Sequence, residues 1–221
     1  SIERIVNLEN LKKLKSIIFR NNMISDISNL SKCKNLKRLN ISNNPIDDFS
    51  CIAKLLKLES LDIAENNLYD LSFVENLVLL RALDCKFNKI NSLKPLAGLK
   101  NLEYLYIQSN LISDLTPLKH LIKLKSLTCF KNQISNLVSL ENLTNLKSLN
   151  IIENNISDLS PISCLNKLRT LLMHENYITS LKPIESLMKD SLRLIGIRDN
   201  PIKKEVLINY EREFPFVIFR Y

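Results

Sequence analysis

An asparagine that returns every 22 residues constrains this chain more than any other feature. Asn22, Asn44, Asn66, Asn88, Asn110, Asn132, Asn154 and Asn176 keep that spacing, and Asn200 follows two residues late. Around each of them runs the frame L-x-x-L-x-I-x-x-N-x-I-x-D-L-x-P-L-x-x-L, of which Leu102 to Lys123 is a full copy. A period of this length means stacked units that touch only their neighbours and bury one continuous core between them. The repeat is unbroken, which leaves no place for a domain boundary. We therefore expect one elongated body, with a repeat array over 1–202 that begins mid-repeat at Ser1 and a cap over 203–221 that belongs to it.

Within each unit, L-x-x-L-x-I alternates apolar and polar residues, the pattern of a half-buried strand. Leu105 and Ile107 are expected to point inward, and Tyr104 and Tyr106 outward. Successive strands joined by a return segment must be parallel. In the returns, Ser28, Ser50, Ser72, Thr116 and Ser160 recur at one position, and Pro95, Pro117, Pro161 and Pro183 at the next. Ser or Thr before Pro is the chemistry of a helix N-cap and first turn, so a short 3₁₀ or α turn is expected on each return. The asparagine falls where the chain leaves the sheet. Its amide can supply donors and an acceptor to a turning backbone that cannot satisfy itself, so the asparagines are expected to form a structural ladder. A two-residue expansion around Met188 to Ser191 shifts the last expected strand, Leu192 to Ile197. Lys203 to Glu213 then shows helical spacing through Val206, Leu207 and Tyr210, and reads as a capping helix, with the tail Phe216 to Tyr221 covering the open edge of the core.

From Ile2 to Ile202 this frame resembles the leucine-rich repeat family in its short, 22-residue form. The resemblance implies an α/β, right-handed solenoid: a concave parallel sheet of about nine strands, short turns on the convex side and a C-terminal capping helix. The enlarged last repeat and the turn Asn200-Pro201-Ile202 are similar to the leucine-rich repeat regulatory subunits of protein phosphatase 1. That likeness implies contacts from Asp84, Tyr104, Tyr106, Phe130, Glu153 and His174. The run N-x-I-S-D-L-[ST]-P-[IL], at Asn110 to Leu118 and Asn154 to Ile162, resembles the internalin-type bacterial repeats, which grip host proteins on the same face.

With the inward positions committed to the core, information must sit on the outward strand positions and the residues just after them. There Phe87, Tyr104, Tyr106, Phe130, Ile152 and Leu172 stand where a solvated sheet favours small polar residues. A contiguous exposed apolar patch marks an interaction site, and aromatics are its usual anchors. Asp62, Asp84, Lys86, Gln108, Glu153, His174 and Arg198 complete the expected partner-binding set, mostly as a charged rim. The competing expectation for Phe87 and Phe130 is that they fold back onto the loops as extra core.

Other chemistries find little support. The net charge of +8 is spread along every repeat among acidic residues, the pattern of a solvated surface, so nucleic acid is not the expected partner. His120 and His174 are the only histidines and show no metal-ligand spacing. No glycine-rich phosphate loop or nucleophile motif occurs, so neither a cofactor nor catalysis is expected. Cys33, Cys85 and Cys129 fall in core slots as small apolar residues. Cys85 and Cys129 lie two repeats apart, about 10 Å at the strand spacing, too far for a disulfide. Five unpaired thiols suit a reducing compartment, either intracellular or a host cytosol reached by delivery. No apolar run approaches the roughly 20 residues of a membrane span. The expectation is a non-catalytic, monomeric scaffold binding a protein on its concave sheet, as a phosphatase regulator or else as an internalin-like effector or surface adhesin. Unpaired core cysteines and the absence of an immunoglobulin-like segment after the repeats weigh against a surface protein. A third expectation is a ribonucleoprotein component, in which the basic surface would matter.

Overall fold

The computed structural model describes residues 2–6, 8, 11 and 13–220. Ten three-residue strands follow one another: β1 Ser16–Ile18, β2 Arg38–Asn40, β3 Ser60–Asp62, β4 Ala82–Asp84, β5 Tyr104–Tyr106, β6 Ser126–Thr128, β7 Ser148–Asn150, β8 Thr170–Leu172, β9 Leu194–Gly196 and β10 Ile218–Arg220. They form one sheet in sequence order, and every pair is parallel. The register advances by one repeat per strand, so Leu83, Leu105, Leu127 and Leu149 stand side by side. Each is fully buried. Because the period is constant, every layer of the core repeats the one before it, and the sheet has no reason to break.

Among the described residues, eight 3₁₀ segments form the returns, from Ser28–Lys32 to Lys182–Ile184. Their capping differs from the expected Ser/Thr chemistry. The residue before each segment, such as Leu115 or Leu159, makes no side-chain cap. The cap comes instead from an aspartate two positions ahead of the serine or threonine. Thr116 N–H donates to Asp114 Oδ1 and Ser160 N–H to Asp158 Oδ1, both at 2.8 Å, and Asp26, Asp48 and Asp70 act in the same way. A carboxylate reaches its own backbone two residues on to close an Asx turn, and the Ser50 and Ser72 hydroxyls donate to the second oxygen or the same oxygen of that carboxylate. The prolines still occupy the first turn, as their fixed φ favours.

The asparagines bond as a ladder. Asn110 Nδ2 donates to the carbonyls of Cys85, Ile107 and Gln108 at 3.1, 3.0 and 3.3 Å, and its Oδ1 accepts the Ile90 N–H at 2.9 Å. Asn154 repeats the arrangement with Cys129, Ile151, Ile152 and Ile134. Each amide thus ties its own turn to the previous repeat. The residue just before it is left-handed in every turn: Asn21, Asn43, Glu65, Phe87, Ser109, Lys131, Glu153, Glu175 and Asp199 have φ of 50–57°. None is glycine, and each non-glycine residue held there costs on the order of 1 kcal/mol. The ladder bonds on either side fix the conformation.

The C-terminus closes the array. The expansion near Met188 forms helix α1, Glu185–Asp190, and the capping helix α2 is Lys204–Glu213. Tyr210 stacks on Phe214 at 6.0 Å and donates to Glu185 Oε1 at 2.8 Å, which docks α2 against α1. The tail covers the edge as an added strand, with Phe219 packed against the core. Ile218–Arg220 pairs with β9 as a tenth strand, Val217 is buried beneath it, and Phe216 is 83% exposed. Ser1 and Tyr221, the expected ends of array and tail, lie outside the described residues. All five cysteines are unpaired; Cys33, Cys51, Cys85 and Cys129 are buried and Cys164 is exposed.

Candidate protein-binding face

One face of the sheet carries no covering layer among the described residues. Its first row is Ser16, Arg38, Ser60, Ala82, Tyr104, Ser126, Ser148, Thr170, Leu194 and Ile218, and its second runs from Ile18 through Asp62, Asp84 and Tyr106 to Leu172 and Gly196. Parallel strands lie about 4.8 Å apart, so neighbours along a row are in van der Waals reach. Tyr104 is 39% and Phe87 48% exposed. Tyr106, Phe130, Ile152 and Leu172 are half-buried on the same side. The left-handed backbone at Phe87 sets its ring at the edge of the sheet rather than in the loop core.

The polar residues of this face spend much of their bonding on holding it. Asn40 Nδ2 donates to Asp62 Oδ2 at 2.7 Å while its Oδ1 accepts from Ser42 Oγ at 2.8 Å. Asp62, Asp84 and Asn150 each accept the backbone N–H two residues on. Burial pushes the Asp62 carboxyl up despite the Ala64 N–H, and the neighbouring Asp84 charge pushes in the same direction. Lys86 sits 2.8 Å from Asp84 Oδ2, and this bond holds its ammonium above the usual lysine range. Arg198 pairs with Glu175 at 3.2 Å and with Asp199 at 2.9 Å. The charged rim is therefore largely self-neutralised. Beside the acids a depression of about 340 Å³ is floored by Ser60 and Ala82 and walled by Ile18, Asp62, Asp84 and Tyr106. A larger one, of about 610 Å³, lies away from this face among Phe49, Phe73, Tyr69 and Asp70 in the returns.

His174 packs over β9 only because Gly196 lacks a side chain: a Cβ there would come within 2.5 Å of its Nε2. Its Nδ1 accepts the Arg198 N–H at 2.8 Å. Burial, and then the Arg198 charge, hold the imidazole below the usual histidine range. Gln108 departs from the expected partner-facing position. It is only 7% exposed, flanked in its row by half-buried Lys86 and Phe130, and its Oε1 has no hydrogen-bond partner; nor does the buried Ser109 Oγ beside it. Among the described residues no group of three or more His, Cys, Asp or Glu could hold a metal ion, and no helix is long and apolar enough to cross a membrane.

Comparison with known proteins identifies the architecture. The family description "Leucine Rich repeats (2 copies)" matches residues 12–54, 34–76 and 78–120. An internalin C2 of Listeria monocytogenes is 30% identical with a TM-score of 0.84, over 87% of this chain and 84% of that one. The chain belongs to the leucine-rich repeat family, with internalin-type repeats. A second Listeria monocytogenes internalin, inlF, is 33% identical with a TM-score of 0.87; it aligns over 96% of this chain, which spans 62% of its length. A leucine-rich repeat protein of Leptospira interrogans shares the fold at 24% identity and a TM-score of 0.86, again with 62% of its own length covered. The search of curated proteins finds no match.

As a leucine-rich repeat solenoid of α/β class, the chain has the architecture of a protein-interaction scaffold, and such proteins are in general non-catalytic. Of the residues expected to meet a partner, the repeats bring Tyr104, Tyr106, Phe130, Ile152 and Leu172 onto one surface with Phe87 at its edge. Asp62, Asp84 and Lys86 gather at one end, and Glu153, His174 and Arg198 follow on the turns of β7 to β9.

Proposed function

We propose that this chain binds a partner protein on the open sheet face, with Phe87, Tyr104 and Tyr106 as anchors and the apolar strip through Ile152 and Leu172 as its continuation. The observation that carries the reading is the exposure of aromatic rings on a surface where Ser60, Ser126 and Ser148 are the repeat's ordinary choice. Rigid aromatics lose little conformational freedom on binding and bury large areas, so they supply most of an interface's energy. The Asp62 and Asp84 end, beside its depression, suits a basic side chain of the partner.

The likeness to two internalins supports the internalin-type reading over a phosphatase regulator, and with it a partner from a host cell. The test is recovery of partners from eukaryotic lysate by wild type and by Tyr104→Ala/Tyr106→Ala, with thermal unfolding as a check on the fold. The double variant is expected to fold normally and to lose the partner. A phosphatase catalytic subunit captured by wild type alone would restore the regulatory reading. Recovery unchanged in the double variant would place the site elsewhere on the solenoid.

A further inference from the structure

Where the strands begin, one row of residues runs along the edge of the sheet: Lys15, Lys37, Glu59, Arg81, Glu103, Lys125, Lys147, Arg169 and Arg193. From Lys37 to Lys125, acids alternate with cations. Lys37 pairs with Glu59 at 2.5 Å, and Glu103 takes Arg81 on one side, at 2.5 Å, and Lys125 on the other. Those two cations hold the Glu103 carboxyl below the usual range, Lys125 first. Past Lys125 the alternation stops. Lys147, Arg169 and Arg193 stand on consecutive strands, joined by backbone bonds from Arg169 N–H to Lys147 O at 2.8 Å and from Arg193 N–H to Arg169 O at 2.9 Å. All three are exposed, and among the described residues none forms an ion pair with a carboxylate.

Like charges on adjacent strands repel and destabilise the sheet, which makes an unbroken run a cost that the stretch from Lys37 to Lys125 avoids. The same three side chains, with Lys167, line a concavity of about 330 Å³ whose single acid is Asp190. Its cations are held in place. Arg193 donates to the carbonyls of Leu192 at 2.7 Å and Asp190 at 3.3 Å, and Lys167 donates to Asn145 Oδ1 at 2.7 Å. Apolar surface adjoins the patch: Ile218 is 62% exposed, beside Leu194, and Phe216 is 83% exposed.

We infer that this concavity binds an acidic peptide segment, its carboxylates on Lys147, Arg169 and Arg193 and a neighbouring apolar side chain on Leu194 and Ile218. The aliphatic neighbours favour a polypeptide. The run of cations without an ion pair spans only three strands and ends at Lys125, which is paired with Glu103, so a continuous phosphate backbone would soon face a carboxylate. This extends the reading of the chain as a protein-binding scaffold to a second surface, which meets the sheet face at Leu194 and Ile218, and to the chemistry of its partner.

The test is fluorescence anisotropy of a labelled hexaglutamate peptide at low salt, with the full chain. Wild type is expected to bind, and Arg169→Glu to weaken binding about tenfold or more, since a carboxylate there repels the peptide and can pair with both neighbours as Glu103 does. Arg169→Glu is also expected to raise the melting temperature at low salt, an effect that vanishes as salt screens the row. Lys147→Gln should weaken binding less, and Tyr104→Ala/Tyr106→Ala should leave it unchanged, which separates this surface from the sheet face. Wild type failing to bind, Arg169→Glu binding as well as wild type, or a thymidine oligonucleotide of equal charge binding more tightly than the peptide would each overturn the proposal.

Discussion

Each repeat makes two turns, and both rely on a side-chain oxygen accepting a backbone N–H, yet the two differ in what they join. At the strand exit the ladder asparagine bonds across repeats: Asn110 serves Ile90 and Cys85 in the preceding unit as well as its own turn, inside the protein. At the return, Asp114 serves only Thr116, two residues away and open to solvent. The first group cannot be replaced by water and the second can. The comparison teaches that hydrogen-bond count is a poor guide here; burial decides which turn is essential and which is a refinement.

The largest effect is expected from Asn110→Asp. It replaces two donors with a carboxylate facing three backbone carbonyls, and burial of an unpaired charge is strongly destabilising. Denaturant unfolding should show a loss above that of Asn110→Ala, which leaves buried groups unpaired at about 1–3 kcal/mol. If the two variants matched, the amide's donors would not matter and the ladder would be no more than a packing device. Asp114→Ala comes next, at about 0.5–1 kcal/mol, because the freed Thr116 N–H finds water; a loss equal to that of Asn110→Ala would erase the distinction.

The smallest and most discriminating effect is in pH. The hydroxyl and N–H of Ser72, Thr116 and Ser160 hold the carboxyls of Asp70, Asp114 and Asp158 below their usual value of 3.8. In acid the unfolded chain binds protons that the folded turns refuse, so these groups stabilise fully above that value and lose their contribution as pH falls through the folded pKa values. The triple change of these aspartates to asparagine should flatten acid unfolding as pH falls below the usual aspartate value. The ladder carries no titratable group, and Asn110→Ala should therefore lower the whole curve without changing its slope.

The fold was legible because periodicity states it. With Leu105 and Ile107 inward, strand direction, register and core follow from the constant period, and Asn110 can only sit at the turn. What escaped was information that no residue type announces. Phe87, Lys131 and Glu153 are left-handed because bonds on both sides of the turn hold them there, not because their side chains prefer it. The aspartate caps are present in the sequence at a fixed spacing before each serine or threonine, but the Ser-Pro pair is the stronger local pattern and hides them. Strand β10 depends on helix α2 returning the chain to the sheet, which three residues cannot signal. On the candidate face, alternation identified Tyr104 and Tyr106 as outward, whereas the burial of Gln108 depends on what stands beside it on neighbouring strands. Lys147, Arg169 and Arg193 stand out only when the register puts them in one row, since the overall charge hides them.

The division among the cysteines has a practical consequence. Burial pushes the thiol of Cys51 up to about 11 and that of Cys129 up to about 12, and Cys33 and Cys85 are raised for the same reason. Thiolates are the reactive species, so these four are poor targets for alkylation at neutral pH. Cys164 alone is exposed, on the return after Ser160–Ile162 and away from the sheet face. A maleimide dye should attach there at one defined point, which gives the unaltered chain a built-in handle for surface tethering or single-molecule fluorescence with the sheet face left open.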